Sequence, residues 1–173
     1  DRLRDDRGRL LRTYSGGAAK LDAYLEDHAF LLEALIALFE ATCEERRLEQ
    51  AVALADTLIA RFADERSGGF FSTAHDAEAL IARRKEIEDN PMPAGASIAS
   101  VGLLRLAELT GEQAYRRHAD GALALVGSIA ERHPRAFAAA LLAVHRRLAP
   151  PRPIACPLPA RPSAAGQPAA GRQ

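Results

Sequence analysis

Glu26, Asp27 and His28 stand in a row directly before a long apolar run, with Tyr24 two places earlier. Carboxylates are the groups that general acid and base catalysis uses, yet at a helix start they also accept hydrogen bonds from free backbone N–H groups and meet the positive end of the helix dipole. Two readings therefore stand side by side. Asp27 is a helix cap, or Glu26 and Asp27 are the acidic rim of a site that Tyr24, His28 and Ser97 help to line. A second cluster, Arg83-Arg84-Lys85-Glu86-Ile87-Glu88-Asp89, leads toward another apolar run that begins near Ser97. As a run of mixed charge it reads as solvated surface. As a site, Arg83 or Lys85 holds an anionic or hydroxyl-rich ligand, and Glu86 or Asp89 serves as acid or base.

Other chemistries find less support. His28 has no second histidine at i+4 and no H-E-x-x-H around it, so a metal site is not expected. His75, His118, His133 and His145 read as solvated, and Phe70 and Phe71 either fill core or stack on a sugar ring. The glycine pairs match no phosphate-binding loop, and no cofactor is expected. Cys43 and Cys156 fit neither a zinc nor a redox spacing, which supports no disulfide framework and points to a reduced, cytoplasmic compartment.

Twenty-three basic residues balance twenty-three acidic ones, so no global field steers the chain toward nucleic acid or an anionic membrane. No apolar run reaches the length a membrane helix needs. With 48% apolar and 27% charged residues the 173-residue chain has the make-up of one soluble globular domain. It begins at Asp1 rather than Met, and is expected to be part of a longer protein.

The elements that must position these residues are helical. Residues 28–41 carry only Glu33 and Glu40 as charged positions after His28, a pattern expected of a helix buried on most sides. Residues 47–63 follow the i, i+3, i+4 rhythm, with one face left polar. The same pair returns as 97–109, mostly apolar, and 112–133, amphipathic. Glu40-Ala41-Thr42 aligns with Glu108-Leu109-Thr110, an offset of sixty-eight residues. A repeat of helical hairpins explains this, and it sets Asp27 opposite Gly95, so that both inner helices start at one shared hollow. A fifth helix over 135–148 follows Pro134 and also looks buried. A short strand is expected around Leu10 to Tyr14, and the long loop between the hairpins is where function tends to sit. From Pro150 the Pro/Ala-rich composition predicts disorder, giving two parts, 1–149 and 150–173.

"GRLLRTY", "AYLEDHAFLLEALIALFEAT", "GGFFSTAHDAEALIARRKEIED" and "SIASVGLLRLAELTGE" resemble the C-terminal helical portion of the YyaL and spermatogenesis-associated protein 20 family, from about residue 8 to about residue 149. The resemblance implies an all-α, partial (α/α) toroid similar to the six-hairpin glycosidases and the N-acylglucosamine 2-epimerases. It implies a sugar pocket at the starts of the inner helices and an upstream thioredoxin-like domain, whose cysteine motif this chain lacks. Where the family reads Pro-Ser-Gly-Asn-Ser, this chain reads Pro93-Ala94-Gly95-Ala96-Ser97, losing a hydroxyl and a carboxamide. The rival expectation is a non-catalytic scaffold or interaction domain. Five helices cannot close such a ring, and exposed apolar flanks favour association.

Overall fold

The computed structural model describes residues 2–77 and 82–149. The tail expected to be disordered, 150–173, and loop residues 78–81 lie outside the described residues.

Strand β1 (Leu11–Ser15) turns through Gly16 and Gly17, both left-handed with φ of 59° and 82°, into β2 (Ala18–Asp22). The antiparallel register sets Leu11 against Asp22 and Ser15 against Ala18. The strand expected from Leu10 to Tyr14 is therefore one arm of a hairpin. Among the described residues five α-helices follow: α1 (Leu25–Thr42), α2 (Glu45–Phe62), α3 (Gly95–Thr110), α4 (Gln113–Arg132) and, after a 3-10 turn at Pro134–Phe137, α5 (Ala138–Leu148).

The repeat extends to single hydrogen bonds. Thr42 and Thr110 each donate their hydroxyl to the carbonyl four residues back, Leu38 and Leu106, both at 2.8 Å. Each hydroxyl oxygen then accepts from the backbone N–H of the glutamate that opens the next helix, Glu44 at 3.3 Å and Glu112 at 3.2 Å. Between them sit Cys43 and Gly111, both left-handed C-caps with φ of 54° and 77°. Cys43 is not a free thiol, which corrects the expectation of a lone reduced cysteine there.

Helices α1, α3 and α5 form one layer and run in the same sense. A Cβ on Gly95 would lie 3.0 Å from the Glu26 nitrogen, and one on Gly102 would lie 2.9 Å from Leu32 Cδ2. These glycines let α3 approach α1 backbone to side chain. Farther along, Arg105 bridges Glu33 and Glu40, each at 2.6 Å. Glu108 meets Arg146 of α5 at 2.5 Å. Helices α2 and α4 return antiparallel on the other side. Tyr115 of α4 donates its hydroxyl to Asp56 of α2 at 2.8 Å, and Arg147 of α5 pairs with Asp120 of α4 at 2.7 Å. Leu32, Ile36, Leu58, Phe62, Phe70, Leu103, Leu104 and Leu106 are fully buried between the layers, each stabilising by about 1.5–3 kcal/mol.

Two helices are more open than their composition predicts. On α1, Ala34, Ala37, Leu38 and Ala41 form an exposed stripe at i, i+3, i+4, i+7. On α5, Ala138, Leu141, Leu142, His145 and Leu148 do the same. These helices are the two ends of the layer, so each has a neighbour on one side alone among the described residues.

Candidate functional site

Helices α1 and α3 start side by side, and the loop after α2 folds over that end. Ser72 ties it down twice: its carbonyl accepts from the Leu25 N–H at 3.0 Å, and its N–H donates to the Arg84 carbonyl at 2.8 Å. Between them opens a cavity of about 280 Å³ lined by Tyr24, Leu25, Glu26, Ser72, Thr73, Ala82, Arg84, Glu86 and Gly95. Arg12, reaching across from β1, fixes the acidic side: its Nη2 pairs with Glu26 at 2.7 Å, its Nη1 with Asp27 at 3.2 Å, and its guanidinium lies 4.5 Å from the Tyr24 ring centroid. The lining residues thus carry two carboxylates, three hydroxyls, one guanidinium and an aromatic ring.

Of the residues singled out from sequence, Tyr24, Glu26 and Glu86 meet in this cavity. Asp27 sits beside it and accepts from the Tyr24 N–H at 2.8 Å, tying down the start of α1. His28 is fully buried. One ring nitrogen, Nδ1, lies 2.9 Å from the Tyr24 carbonyl, while Nε2 is buried without a partner and the ring tilts against Phe62 at 4.9 Å. Burial pushes its pKa below the ordinary 6.5 more strongly than the Tyr24 carbonyl raises it.

The charged loop residues are engaged elsewhere. Arg83 stacks over Phe71, 4.0 Å from the centroid, and donates to the Thr73 carbonyl at 2.6 Å. Lys85 pairs with Asp64 at 2.7 Å and donates to the Gly68 carbonyl at 2.6 Å, holding the Asp64 carboxyl down at about 2. Asp89 accepts from the Ala94 N–H and the Ala139 N–H, both at 2.8 Å, so it joins the starts of α3 and α5. Ser97 is buried beneath Lys85, in a separate crevice shared with Ser100 and Ala140.

Two features escaped the sequence reading. Arg61, a charged residue near the end of α2, has a buried side chain that grips Asp76 through Nε at 3.0 Å and Nη2 at 2.9 Å. Its carbonyl accepts from the His75 N–H at 2.9 Å. Arg61 therefore anchors the loop that roofs the pocket, and nothing in its helical position signals this. Ser72, Thr73 and Arg12 enter only because the loop and the hairpin fold back onto α1.

No protein-family model matches the chain. It is 34% identical over 137 residues to human spermatogenesis-associated protein 20, covering 74% of this chain and 17% of that protein. The mouse protein of the same name gives the same identity and coverage. An uncharacterised protein of Caenorhabditis elegans is 32% identical over 124 residues, covering 67% of this chain and 17% of that protein. The chain thus spans about a sixth of the length of these relatives. A matching stretch of this size, in one helical arrangement, means that the chain belongs to the spermatogenesis-associated protein 20 family and corresponds to one region of its longer members.

Proposed function

We propose that the cavity at the starts of α1 and α3 binds a polyhydroxylated, sugar-type ligand, and that the chain carries this part of a carbohydrate-active site. The observation that supports the reading is the lining itself. Tyr24 offers an aromatic face, Ser72 and Thr73 offer hydroxyls, and Glu26, Glu86 and Arg84 surround one space of about 280 Å³. Sugar recognition needs this mixture of an apolar platform and convergent hydrogen-bonding groups. The volume suits a single ring rather than a chain.

Glu26 is the carboxylate best placed to accept hydroxyl hydrogen bonds, because Arg12 orients it. Glu86, on the opposite loop, is the second carboxylate of the pair, as isomerase or hydrolase chemistry would use it. Asp27 and Asp89 act from behind, one capping α1 and the other joining α3 to α5. Arg83 and Lys85 hold the loop through Thr73 and Asp64, and His28 and Ser97 lie outside the cavity lining. The remaining hairpins of a longer chain and an upstream thioredoxin-like domain are the partners this reading implies.

Isothermal calorimetry with neutral and N-acylated hexoses tests it. Binding should weaken about tenfold in Tyr24→Ala and in Glu86→Gln, while Glu112→Gln, at the far end of the hairpins, should leave affinity unchanged. Equal affinity in all three variants overturns the assignment. A second reading, an interaction module, draws on the two exposed apolar stripes.

A further inference from the structure

Residues 82–89 lead from the cavity toward the start of α3, and their exposure alternates. Positions 82, 84, 86 and 88 are open, while 83, 85, 87 and 89 are half-buried. Such alternation is the pattern of an extended chain, which sends successive side chains to opposite sides. The two sides have different duties. Arg83 donates to the Thr73 carbonyl at 2.6 Å, Lys85 pairs with Asp64 at 2.7 Å, and Asp89 accepts from the Ala94 and Ala139 N–H groups. Ile87 packs against the core cluster that contains Val126 and Phe137. These residues hold the segment in place. Ala82, Arg84 and Glu86, on the other side, line the cavity.

The ion pairs around the cavity leave one cation uncommitted. Arg12 is held by Glu26 and Asp27, Arg61 by Asp76, and Lys85 by Asp64. The Arg84 side chain has no partner among the described residues, and neither has that of Glu86, although both line the same space. The Arg84 backbone is nonetheless fixed, because its carbonyl accepts from the Ser72 N–H at 2.8 Å. That bond also sets the Ser72 and Thr73 side of the lining next to Arg84. A guanidinium beside hydroxyl donors is suited to an anion, since its planar fork matches carboxylate and phosphate oxygens and keeps its charge at any physiological pH. Glu86 repels an anion placed near it. An acidic group therefore belongs at the Arg84 end, with a hydroxyl-rich ring toward Glu86. A neutral sugar leaves Arg84 without a counter-charge.

We propose that the cavity takes an acidic sugar, a single ring carrying a carboxylate or a phosphate, and that Arg84 is the residue that selects it. The inference rests on the sugar-binding reading of the cavity and narrows it. The sequence pattern gives anion binding to Arg83 or Lys85; the alternation turns both away to hold the loop and presents Arg84 in their place.

Calorimetry of the chain with glucose, glucuronate and glucose 6-phosphate tests this. At least one acidic sugar should bind about tenfold or more tighter than glucose, and the one that does identifies the anion as carboxylate or phosphate. Raising salt from about 50 to about 500 mM should shrink that preference, because Arg84 is exposed. Arg84→Gln should bring the three sugars to within about twofold of one another, whereas Arg84→Lys, which keeps the charge without the fork, should retain a reduced preference. Far-ultraviolet circular dichroism should be unchanged in both variants, because the Ser72 bond uses the Arg84 carbonyl and not its side chain. Equal affinity for all three sugars in the wild type overturns the choice of ligand and leaves the sugar cavity standing. Binding to none of them overturns both. A preference that survives in Arg84→Gln overturns the role of Arg84.

Discussion

Arg105→Met is the perturbation whose consequence is best defined. Arg105 holds Glu33 and Glu40, each at 2.6 Å, and the Glu33 and Arg105 side chains are 23% and 12% exposed. Removing the guanidinium leaves Glu40 near water but strands Glu33, whose Oε1 is already buried without a partner. Breaking a fully buried pair costs about 3–5 kcal/mol, and residual exposure lowers this to about 2–4 kcal/mol. For a domain of this size that is a fall in Tm of about 4–16 °C. The cost must also depend on pH. Burial pushes the Glu33 carboxyl above its ordinary 4.5, outweighing the pull of Arg105. An acid whose folded pKa is raised contributes stability that is whole below the unfolded pKa and is lost as pH rises through the folded one. Without Arg105 the folded pKa climbs further, so the deficit should be small near about pH 5 and large near about pH 8. Urea unfolding followed by circular dichroism at both pH values reads this directly. Glu33→Gln added to Arg105→Met should recover most of the loss at the higher pH. A single variant within about 0.5 kcal/mol of wild type, or a double variant no better than the single, refutes the reasoning.

Three further outcomes follow from the same geometry. His28 has its folded pKa lowered by burial, so its contribution to stability is present above about pH 6.5 and lost as pH falls through the depressed value; His28→Gln should flatten urea-unfolding stability between about pH 7 and pH 5. Gly102→Val places carbon against Leu32 Cδ2, where a Cβ alone would sit at 2.9 Å, and should cost about 1–3 kcal/mol in chemical unfolding. Asp89→Ala frees the N–H groups of Ala94 and Ala139; a loss of about 1–3 kcal/mol, with hydrogen-exchange protection falling first at the starts of α3 and α5, is expected.

The helices were readable because their apolar spacing is strong. The segment expected at 47–63 forms as Glu45–Phe62, and that at 97–109 as Gly95–Thr110. The sixty-eight-residue repeat was readable because Thr42 and Thr110 do the same work at the same turn. Exposure was not readable. Leu141, Leu142 and Leu148 have the composition of a core helix, and only the absence of a neighbour beyond α5 among the described residues leaves them open. The pocket was half legible: Glu26 and Glu86 stand beside helix starts in the sequence, whereas Ser72 and Arg12 arrive through backbone pairing that no local pattern encodes. His28 illustrates the remaining gap. Its position among charged neighbours suggested a rim, but helical geometry turns its ring inward against Phe62.

The most direct test of the account is an amide chemical-shift titration of the chain with a hexose. Saturable shifts should gather at Tyr24, Leu25, Glu26, Ser72, Thr73, Arg84, Glu86 and Gly95, the residues that surround the cavity. Val101, Arg105 and Glu108, on the stretch of α3 that faces Leu142 and Arg146, should stay still. Shifts confined to that second group, or no saturable shift with any hexose, would contradict it.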